Sequence, residues 1–250
     1  MPAVLETSGL TKRFGGITAA SNVSLAIERG ARHALIGPNG AGKTTIVNLL
    51  TGVVRPSAGR ILLEGYDITE AETHARVRLG MARTFQINQL FADLTPIEAI
   101  GLAVSERMGT GRQWWRLVGR RPEVVEEVGS LIEQFHLSDV MQDRTAILPY
   151  GKQRLLEIAL AIACRPRVLL LDEPAAGVPE ADRHEILSAV AALPKDVTVV
   201  LIEHDMDLVF SFADRISVLV NGALFVEGTP ETVARDPRVK AVYLGEALDV

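Results

Sequence analysis

The sequence predicts an α/β fold with a mainly parallel sheet and an inserted helical subdomain. A short apolar segment at residues 33–36 runs into a glycine-rich loop and then into an apolar helical segment at residues 46–50. A second apolar segment, at residues 168–171, has the pattern of a parallel strand that is buried on both faces. Between the two, about residues 99–148 show helical periodicity and no clear strand, so they interrupt the alternation of strands and helices.

Residues 3–36 are predicted to be rich in β-strands. Val23, Leu25 and Ile27 recur at every second position, as the buried side chains of a half-buried strand do. Phe14 stands beside a pair of glycines in the same region. Two interpretations of Phe14 remain open at this point: a core residue at the end of a strand, or an exposed ring that stacks on a base.

The loop after residues 33–36 matches the phosphate-binding pattern G-x-x-x-x-G-K-[ST] at every fixed position. Glycines let successive backbone N–H groups turn toward a phosphate chain, and the following helix adds its unsatisfied donors and the positive end of its dipole. Lys43 is expected to reach the β- and γ-phosphates, and the Thr44 hydroxyl is expected to bind Mg²⁺. The expected nucleotide-binding residues of the loop are Gly37, Pro38, Asn39, Gly40, Ala41, Gly42, Lys43, Thr44 and Thr45.

The middle of the chain holds one well-marked helix start and one ambiguous segment. Thr95 is expected to cap a helix, with Pro96 at its first position and Glu98 completing a capping box. Two adjacent tryptophans lie among four arginines in residues 109–121. This segment is either a basic, aromatic patch that contacts anionic lipid or a partner, or a surface insertion whose tryptophans pack locally. The second interpretation is favoured because no clean amphipathic period emerges.

The second half of the chain is predicted to resume the alternation of helices and strands. Asn221 and Gly222 are a strong signal for a hairpin turn between two strands. The other expected elements are a helix that opens at residues 148–154 and stops at 165–166, a helix at 180–193, a buried strand at 197–202, strands at 216–220 and 223–226, and a short helix from 229.

Acidic and polar side chains follow the predicted buried strands. Asp172 and Glu173 end one strand, and His204 follows the next. Ligands of doubly wound folds bind at the carboxyl ends of strands. Asp172 is therefore expected to bind Mg²⁺ directly or through water, Glu173 to orient and polarise the attacking water, and His204 to lie near the γ-phosphate. Gln86 offers an amide oxygen that can bind Mg²⁺ or hold the water.

Composition and charge limit the classes of function. The chain has 250 residues, of which 48% are hydrophobic and 23% charged, an ordinary globular composition. A net charge of −5 with no long basic tract argues against a general nucleic-acid binder. The single cysteine, Cys164, excludes a disulfide framework and fits a reducing compartment. No signal peptide is visible and no apolar run reaches the roughly 18–20 residues that span a bilayer, so the chain is expected to be soluble and to need partner chains for any role in a membrane.

In their order and spacing, these residues resemble the nucleotide-binding subunit of ABC transporters over essentially the whole chain. Residues 37–45 resemble its Walker A loop, and residues 168–173 resemble its Walker B strand with the catalytic glutamate. By the same resemblance Phe14 is the aromatic that stacks on adenine, Gln86 the Q-loop glutamine and His204 the switch histidine. Lys43, Glu173 and His204 are thus the expected catalytic residues.

The resemblance implies a P-loop NTPase core with a mainly parallel sheet, an antiparallel β subdomain and an inserted α-helical subdomain, all within a single ABC ATP-binding domain, residues 1–250. The core with the β subdomain is expected at about residues 1–85 and 166–250, and the helical subdomain at about 86–165. Residues 148–154 align with the signature motif, usually L-S-G-G-Q. The nucleotide contacts expected from the signature are Tyr150, Gly151 and Lys152.

A closer resemblance is to the branch of the family that energises import of branched-chain amino acids. It implies ATP and Mg²⁺ as cofactors and hydrolysis coupled to uptake of branched-chain or related amino acids. Urea or amide importers and lipopolysaccharide-type exporters are close relatives and remain alternatives, and a soluble ABC ATPase linked to nucleic acid is disfavoured by the acidic balance. The segments that resemble this branch are residues 82–86, 90–91, 150–151, 156–159, 172–177, 203–206 and 243–246.

The family resemblance also implies partners. Two ATPase subunits face each other head to tail, as a homodimer or a heterodimer, with each ATP between one chain's phosphate loop and the other chain's signature helix. Two membrane permease subunits dock near Gln86, and a periplasmic or lipid-anchored substrate-binding protein acts indirectly; no nucleic-acid partner is implied. The chain is expected in the cytoplasm, peripheral on the inner face of the cell membrane.

Two positions depart from the usual family pattern. Pro149 stands where a serine hydroxyl usually donates to the γ-phosphate, and proline lacks a backbone N–H as well. After the Walker B residues, positions 176–179 read Ala-Gly-Val-Pro in place of Ser-Ala-Leu-Asp, so the aspartate that couples the two sites is absent. We hypothesise that the signature side is weakened, which pairing with a different ATPase subunit would tolerate.

Overall fold

A computed structural model describes residues 3–84, 90–109 and 121–244, without the side chains of residues 181, 182 and 244. The chain divides into two compact units. The first comprises Met1–Arg83, Arg167–Glu173 and Pro194–Val250, and the second comprises Thr84–Pro166 and Pro174–Leu193. Residues 174–193, which the sequence assigned to the ATPase core, thus group with the helical unit, because the helix they form packs on the helix at Tyr150–Ala163.

Ten strands of the described residues form two sheets in the first unit. They are β1 Ala3–Phe14, β2 Ile17–Glu28, β3 Arg32–Ile36, β4 Ala58–Leu63, β5 Tyr66–Asp67, β6 Met81–Arg83, β7 Val168–Asp172, β8 Thr198–Ile202, β9 Arg215–Val220 and β10 Ala223–Gly228. An antiparallel sheet has the order β2–β1–β4–β5. A larger sheet has the order β10–β9–β3–β8–β7–β6, in which only β10 pairs antiparallel. The predicted α/β fold with a mainly parallel sheet is confirmed.

Nine α-helices and one short 3₁₀ helix, Thr145–Ile147, lie in the described ranges. The α-helices are α1 Lys43–Leu50, α2 Thr73–Arg78, α3 Pro96–Arg107, α4 Pro122–Gln134, α5 Tyr150–Ala163, α6 Glu180–Ala191, α7 Met206–Phe212, α8 Pro230–Arg235 and α9 Pro237–Leu244. Helices α3 to α6 belong to the second unit. Across the described ranges, no helix combines the length and the apolar character needed to cross a membrane.

Local signals that predicted turns and caps are confirmed. The Thr95 N–H donates to the Glu98 carboxylate at 2.9 Å, and the Glu98 N–H donates to the Thr95 hydroxyl, which completes the capping box of α3. Asn221 and Gly222 have φ angles of 49° and 79°, as a two-residue hairpin turn requires. The sequence did not predict β5, β6, α2, α7 or α9, because elements this short show too little of a period to be recognised.

A buried polar network crosses strands β3, β9 and β10. His33 is 1% exposed, and its Nε2 atom lies 2.8 Å from the Ser217 hydroxyl. Ser217 donates to the Glu227 carboxylate at 2.8 Å, and Arg215 donates to the same carboxylate at 2.7 Å. Burial lowers the pKa of His33 from 6.5 to about 4. The folded protein therefore keeps this ring neutral near neutral pH.

We predict that His33 makes the fold sensitive to acid. The unfolded chain binds a proton at this ring below about pH 6.5, whereas the folded chain resists doing so until about pH 4, so stability falls as the pH drops between these values. His33→Gln cannot bind that proton and should flatten this part of the profile, as measured by the free energy of unfolding in urea against pH. His184→Gln, which replaces an exposed ring, is the matched control. Identical pH slopes for His33→Gln and wild type would contradict the prediction.

Candidate functional site

The loop of residues 37–42 joins strand β3 to helix α1 in close contact with neighbouring backbone. Gly42 has a φ angle of 96°, and a Cβ atom there would lie 2.5 Å from the Ala19 carbonyl oxygen. The Gly222 N–H donates to the Ala41 carbonyl at 3.0 Å. The loop is thus held between strand β2 and the β9–β10 turn, where both the backbone angle and the space available require glycine at position 42.

The Lys43 ammonium lies over this loop. It donates to the carbonyl oxygens of Gly37 at 2.6 Å and Pro38 at 3.2 Å. Burial lowers the pKa of Lys43, and the carboxylates of Glu173 and Asp172 oppose that shift. A positive charge therefore stands between the loop and the two acidic residues at the end of strand β7.

A cavity of about 480 Å³ opens beside the loop, within the usual size range of ligand pockets. Its walls are residues 39–45, residues 17–19 of strand β2, Glu173, and the turn residues Asn221 and Gly222. The loop residues and Glu173 were predicted to share a site. The β2 segment and the hairpin turn were not predicted to line the site. An Asn-Gly pair indicates a hairpin turn but no ligand-binding chemistry.

Glu173 has an unusual backbone conformation and a close neighbour in His204. Its φ angle is 47°, in the left-handed region that non-glycine residues seldom adopt. The Glu173 N–H donates to the Ile202 carbonyl at 2.9 Å, which holds this conformation. The Glu173 Oε1 atom lies 3.6 Å from His204 Nδ1, and the His204 N–H donates to the buried Glu203 carboxylate at 3.0 Å. Two residues that the sequence placed at separate strand ends are thus neighbours.

Asp172 is held by a residue that sequence reasoning missed. Arg83 Nη2 donates to Asp172 Oδ2 at 2.6 Å, and Arg83 Nη1 donates to Asn48 Oδ1 at 2.8 Å. The side chains of Arg83 and Asp172 are 20% and 23% exposed. Neither Arg83 nor Asn48 carries a catalytic motif, and the only signal was that Arg83 falls within residues 82–86, which resemble the importer branch.

Phe14 lies at the end of strand β1 and is 50% exposed, which excludes the interpretation as a core residue. The Lys12 ammonium lies 5.0 Å from the centroid of its ring, within cation–π range. Phe14 pairs with Ile17 across the two-glycine turn, and Ile17 lines the cavity. Stacking of Phe14 on a base stays a prediction.

In the second unit, Pro149 directly precedes helix α5 and gives it no side-chain cap. The Tyr150 hydroxyl donates to the Ala176 carbonyl at 3.3 Å. A Cβ atom at Gly177, whose φ angle is 72°, would lie 3.2 Å from the same hydroxyl oxygen. The start of the predicted signature helix therefore packs on the segment that departs from the usual family pattern.

Lys152 is engaged within the second unit. Its ammonium donates to the His136 carbonyl at 2.5 Å and lies 3.2 Å from a Glu185 oxygen and 3.4 Å from an Asp139 oxygen. The predicted contact of Lys152 with a nucleotide stays a prediction. Gln86 and most of the segment with the two tryptophans, residues 110–120, lie outside the described residues.

A sequence model of the family described as "ABC transporter" matches residues 20–176, which include the phosphate loop and Glu173. The chain belongs to the ABC transporter ATPase family. This ABC ATPase binds ATP and hydrolyses it. A second model, described as "Branched-chain amino acid ATP-binding cassette transporter", matches residues 224–249.

Proteins similar to this ABC ATPase extend along nearly its whole length. The high-affinity branched-chain amino acid transport ATP-binding protein BraF of Pseudomonas aeruginosa is 41% identical over 255 residues, with 98% of each chain covered. LivG of Escherichia coli, which has the same description, is 38% identical over 251 residues, again with 98% of each chain covered. A solved ATP-binding cassette of an ABC transporter in its ADP conformation is 31% identical, with a TM-score of 0.84, and covers 98% of this chain and 100% of that chain.

We predict that Gly42→Ala weakens ATP binding because its Cβ atom cannot fit beside the Ala19 carbonyl. The left-handed conformation alone costs a non-glycine residue about 1–2 kcal/mol, so the loss of affinity should be about ten-fold or more. Titration with a fluorescent ATP analogue measures it. Gly129→Ala is the matched control, because a Cβ atom there meets nothing within 4 Å. Wild-type affinity in Gly42→Ala would contradict the role of the close backbone contact.

Proposed function

We propose that this chain energises uptake of branched-chain or related amino acids through separate membrane permeases. The observation that supports ATP hydrolysis is the cavity whose walls include both the phosphate loop and Glu173. The observation that supports the substrate class is the description of BraF and LivG, each alike over 98% of the chain, together with the branched-chain model at residues 224–249.

The phosphate loop binds the triphosphate in this proposal. Backbone N–H groups of the loop and of the start of helix α1 donate to the phosphate oxygens. Lys43 exchanges its bonds to two loop carbonyls for bonds to the β- and γ-phosphates, which carry a negative charge that the carbonyls lack. Phe14, half exposed beside the cavity wall, stacks on the adenine.

Thr44 and Asp172 hold Mg²⁺, with Gln86 as a third ligand. The donor set fits this ion, since hydroxyl, carboxylate and amide oxygens are hard ligands of the kind that Mg²⁺ prefers. Thr44 lines the cavity, and the carboxylate of Asp172 is close enough to Lys43 to affect its pKa. When bound there, Mg²⁺ would neutralise negative charge that develops on the phosphate oxygens during transfer.

Glu173 orients and polarises the water that attacks the γ-phosphate. Its left-handed backbone conformation is held by the Ile202 carbonyl, and local strain of this kind clusters at functional sites. His204, 3.6 Å from the Glu173 carboxylate, steadies that carboxylate and lies near the γ-phosphate. Phosphoryl transfer needs positioning and charge neutralisation more than covalent help, and these side chains contribute to the positioning.

A second ATPase subunit completes the site. Its signature helix presents the residues corresponding to Tyr150, Gly151 and Lys152 to the nucleotide, and the free N–H groups of that helix start can bind phosphate. The helical unit serves as the subdomain that carries the signature. The assembled dimer lies on the cytoplasmic face of the cell membrane against two permease subunits, and a periplasmic or lipid-anchored binding protein delivers the substrate.

We predict opposite phenotypes for two site variants. Lys43→Ala should abolish ATP binding, because the loop loses its positive charge. Glu173→Gln should bind ATP like wild type but lower kcat by about 100-fold or more, the range expected for loss of a group that moves a proton. Nucleotide titration and steady-state phosphate release measure the two effects separately. Normal hydrolysis by Glu173→Gln would refute the catalytic assignment.

We predict that the chain needs an unlike ATPase partner, because Pro149 removes the signature hydroxyl. Purified Glu173→Gln should then remain mainly monomeric in saturating ATP and Mg²⁺ during sedimentation velocity. Glu173→Gln combined with Pro149→Ser restores the hydroxyl and is the matched comparison, with more dimer expected. A tight homodimer of the Glu173→Gln variant alone would contradict the requirement for a different partner.

A further inference from the structure

We propose that Arg83 is a positioning residue that joins the two Mg²⁺ ligands, Asp172 and Thr44, through Asn48. This proposal rests on the proposed function only because it takes Asp172 and Thr44 as the Mg²⁺ ligands. Arg83 itself contacts neither nucleotide nor metal in this proposal. It acts by fixing where the Asp172 carboxylate stands relative to helix α1.

The sheet brings Arg83 to Asp172. Strands β6 and β7 are parallel, and Arg83 pairs with Leu170, two residues before Asp172. Side chains two residues apart on a strand lie on the same face of the sheet, so Arg83, Leu170 and Asp172 share a face. The Arg83 guanidinium can therefore reach the carboxylate at the end of the neighbouring strand, and it does so at 2.6 Å.

The other arm of the guanidinium reaches helix α1. Arg83 Nη1 donates to Asn48 Oδ1 at 2.8 Å. Asn48 follows Thr44 by four residues, and residues four apart lie on the same face of a helix. One planar side chain thus connects the end of strand β7 to the helix face that carries the Thr44 hydroxyl.

The chemistry of this contact favours positioning over competition with the metal. A carboxylate offers about four acceptor sites on its two oxygens, so a bond from Arg83 to Oδ2 is compatible with a metal ligand at the same group. Hydrogen bonds to ionised, partly buried groups are short and strong, and the side chains of Arg83 and Asp172 are about four-fifths buried. Carboxylates that bind metals are commonly held in place by such outer partners.

The test separates the metal-dependent part of nucleotide affinity from the rest. ADP affinity is measured by calorimetry in Mg²⁺ and again in EDTA for wild type, Arg83→Ala, Arg83→Lys and Asn48→Ala. Arg83→Ala should lower affinity about ten-fold in Mg²⁺, within the range found when an outer partner of a metal ligand is lost, and leave affinity in EDTA unchanged. Arg83→Lys should behave like Arg83→Ala, because a single ammonium lacks the planar fork that reaches both partners.

Two controls fix the interpretation. Asn48→Ala removes only the far arm and should give a smaller loss in the same direction, and it keeps the test usable if Arg83→Ala folds poorly. Arg78→Ala replaces an exposed arginine of helix α2 and should match wild type. In an Asp172→Asn background, Arg83→Ala should cause no further loss in Mg²⁺, since its effect passes through that carboxylate.

Three results would overturn the proposal. Tighter ADP binding by Arg83→Ala in Mg²⁺ would make Arg83 a competitor of the metal. Equal losses in Mg²⁺ and in EDTA would make it a general structural residue. If the wild-type protein binds ADP equally well in Mg²⁺ and in EDTA, the metal site itself is refuted, and the role of Arg83 with it. Failure of the proposed function is therefore distinguishable from failure of the inference.

Discussion

The register of three parallel strands is the constraint on which the site depends. Leu35 of β3 and Asp172 of β7 both pair with Ile202 of β8, so these strands end at one level. The phosphate loop, Glu173 and His204 each follow one of these ends within two residues. A slip of one residue in either pairing would turn every side chain of that strand to the opposite face. The hydrogen bond from the Glu173 N–H to the Ile202 carbonyl extends the ladder one step past strand β7 and so helps to fix this register.

The carboxylates of Asp172, Glu173 and Glu203 lie at this shared edge of the sheet, and each of them contacts a different set of neighbouring groups. Asp172 is bonded to Arg83, and Glu173 lies beside His204 and near Lys43. Glu203, which is almost fully buried, accepts from the backbone N–H groups of the two residues that follow it. Each hydrogen bond to a carboxylate also fixes the orientation of that group, because it constrains the acceptor as well as stabilising its charge. Charge compensation and positioning are therefore the same set of contacts at this edge.

The sequence predicted what local patterns encode. The phosphate loop, the acidic strand end and the histidine after the next strand were found because each is a short motif attached to a recognisable strand. Contacts between distant segments could not be found in this way. Arg83 and Asp172 are 89 residues apart, and the pairing of β6 with β7 that joins them depends on a three-residue strand. The partners of Lys152 could not be predicted for the same reason, since they come from separate segments of the helical unit.

The two departures from the family pattern each place a proline with nearly the same backbone angles directly before a helix. Pro149 has φ and ψ of −53° and 146°, and Pro179 has −52° and 144°; each directly precedes a helix, α5 or α6. Serine and aspartate, the residues usually found there, are favoured caps whose side chains bond to the first-turn N–H groups. Proline keeps the extended conformation that a helix start requires but supplies no such bond. The donors at the start of α5 thus have no cap from Pro149, so the helix end keeps its capacity to bind an anion. What Pro149 removes from the signature side is the hydroxyl donor that serine would supply.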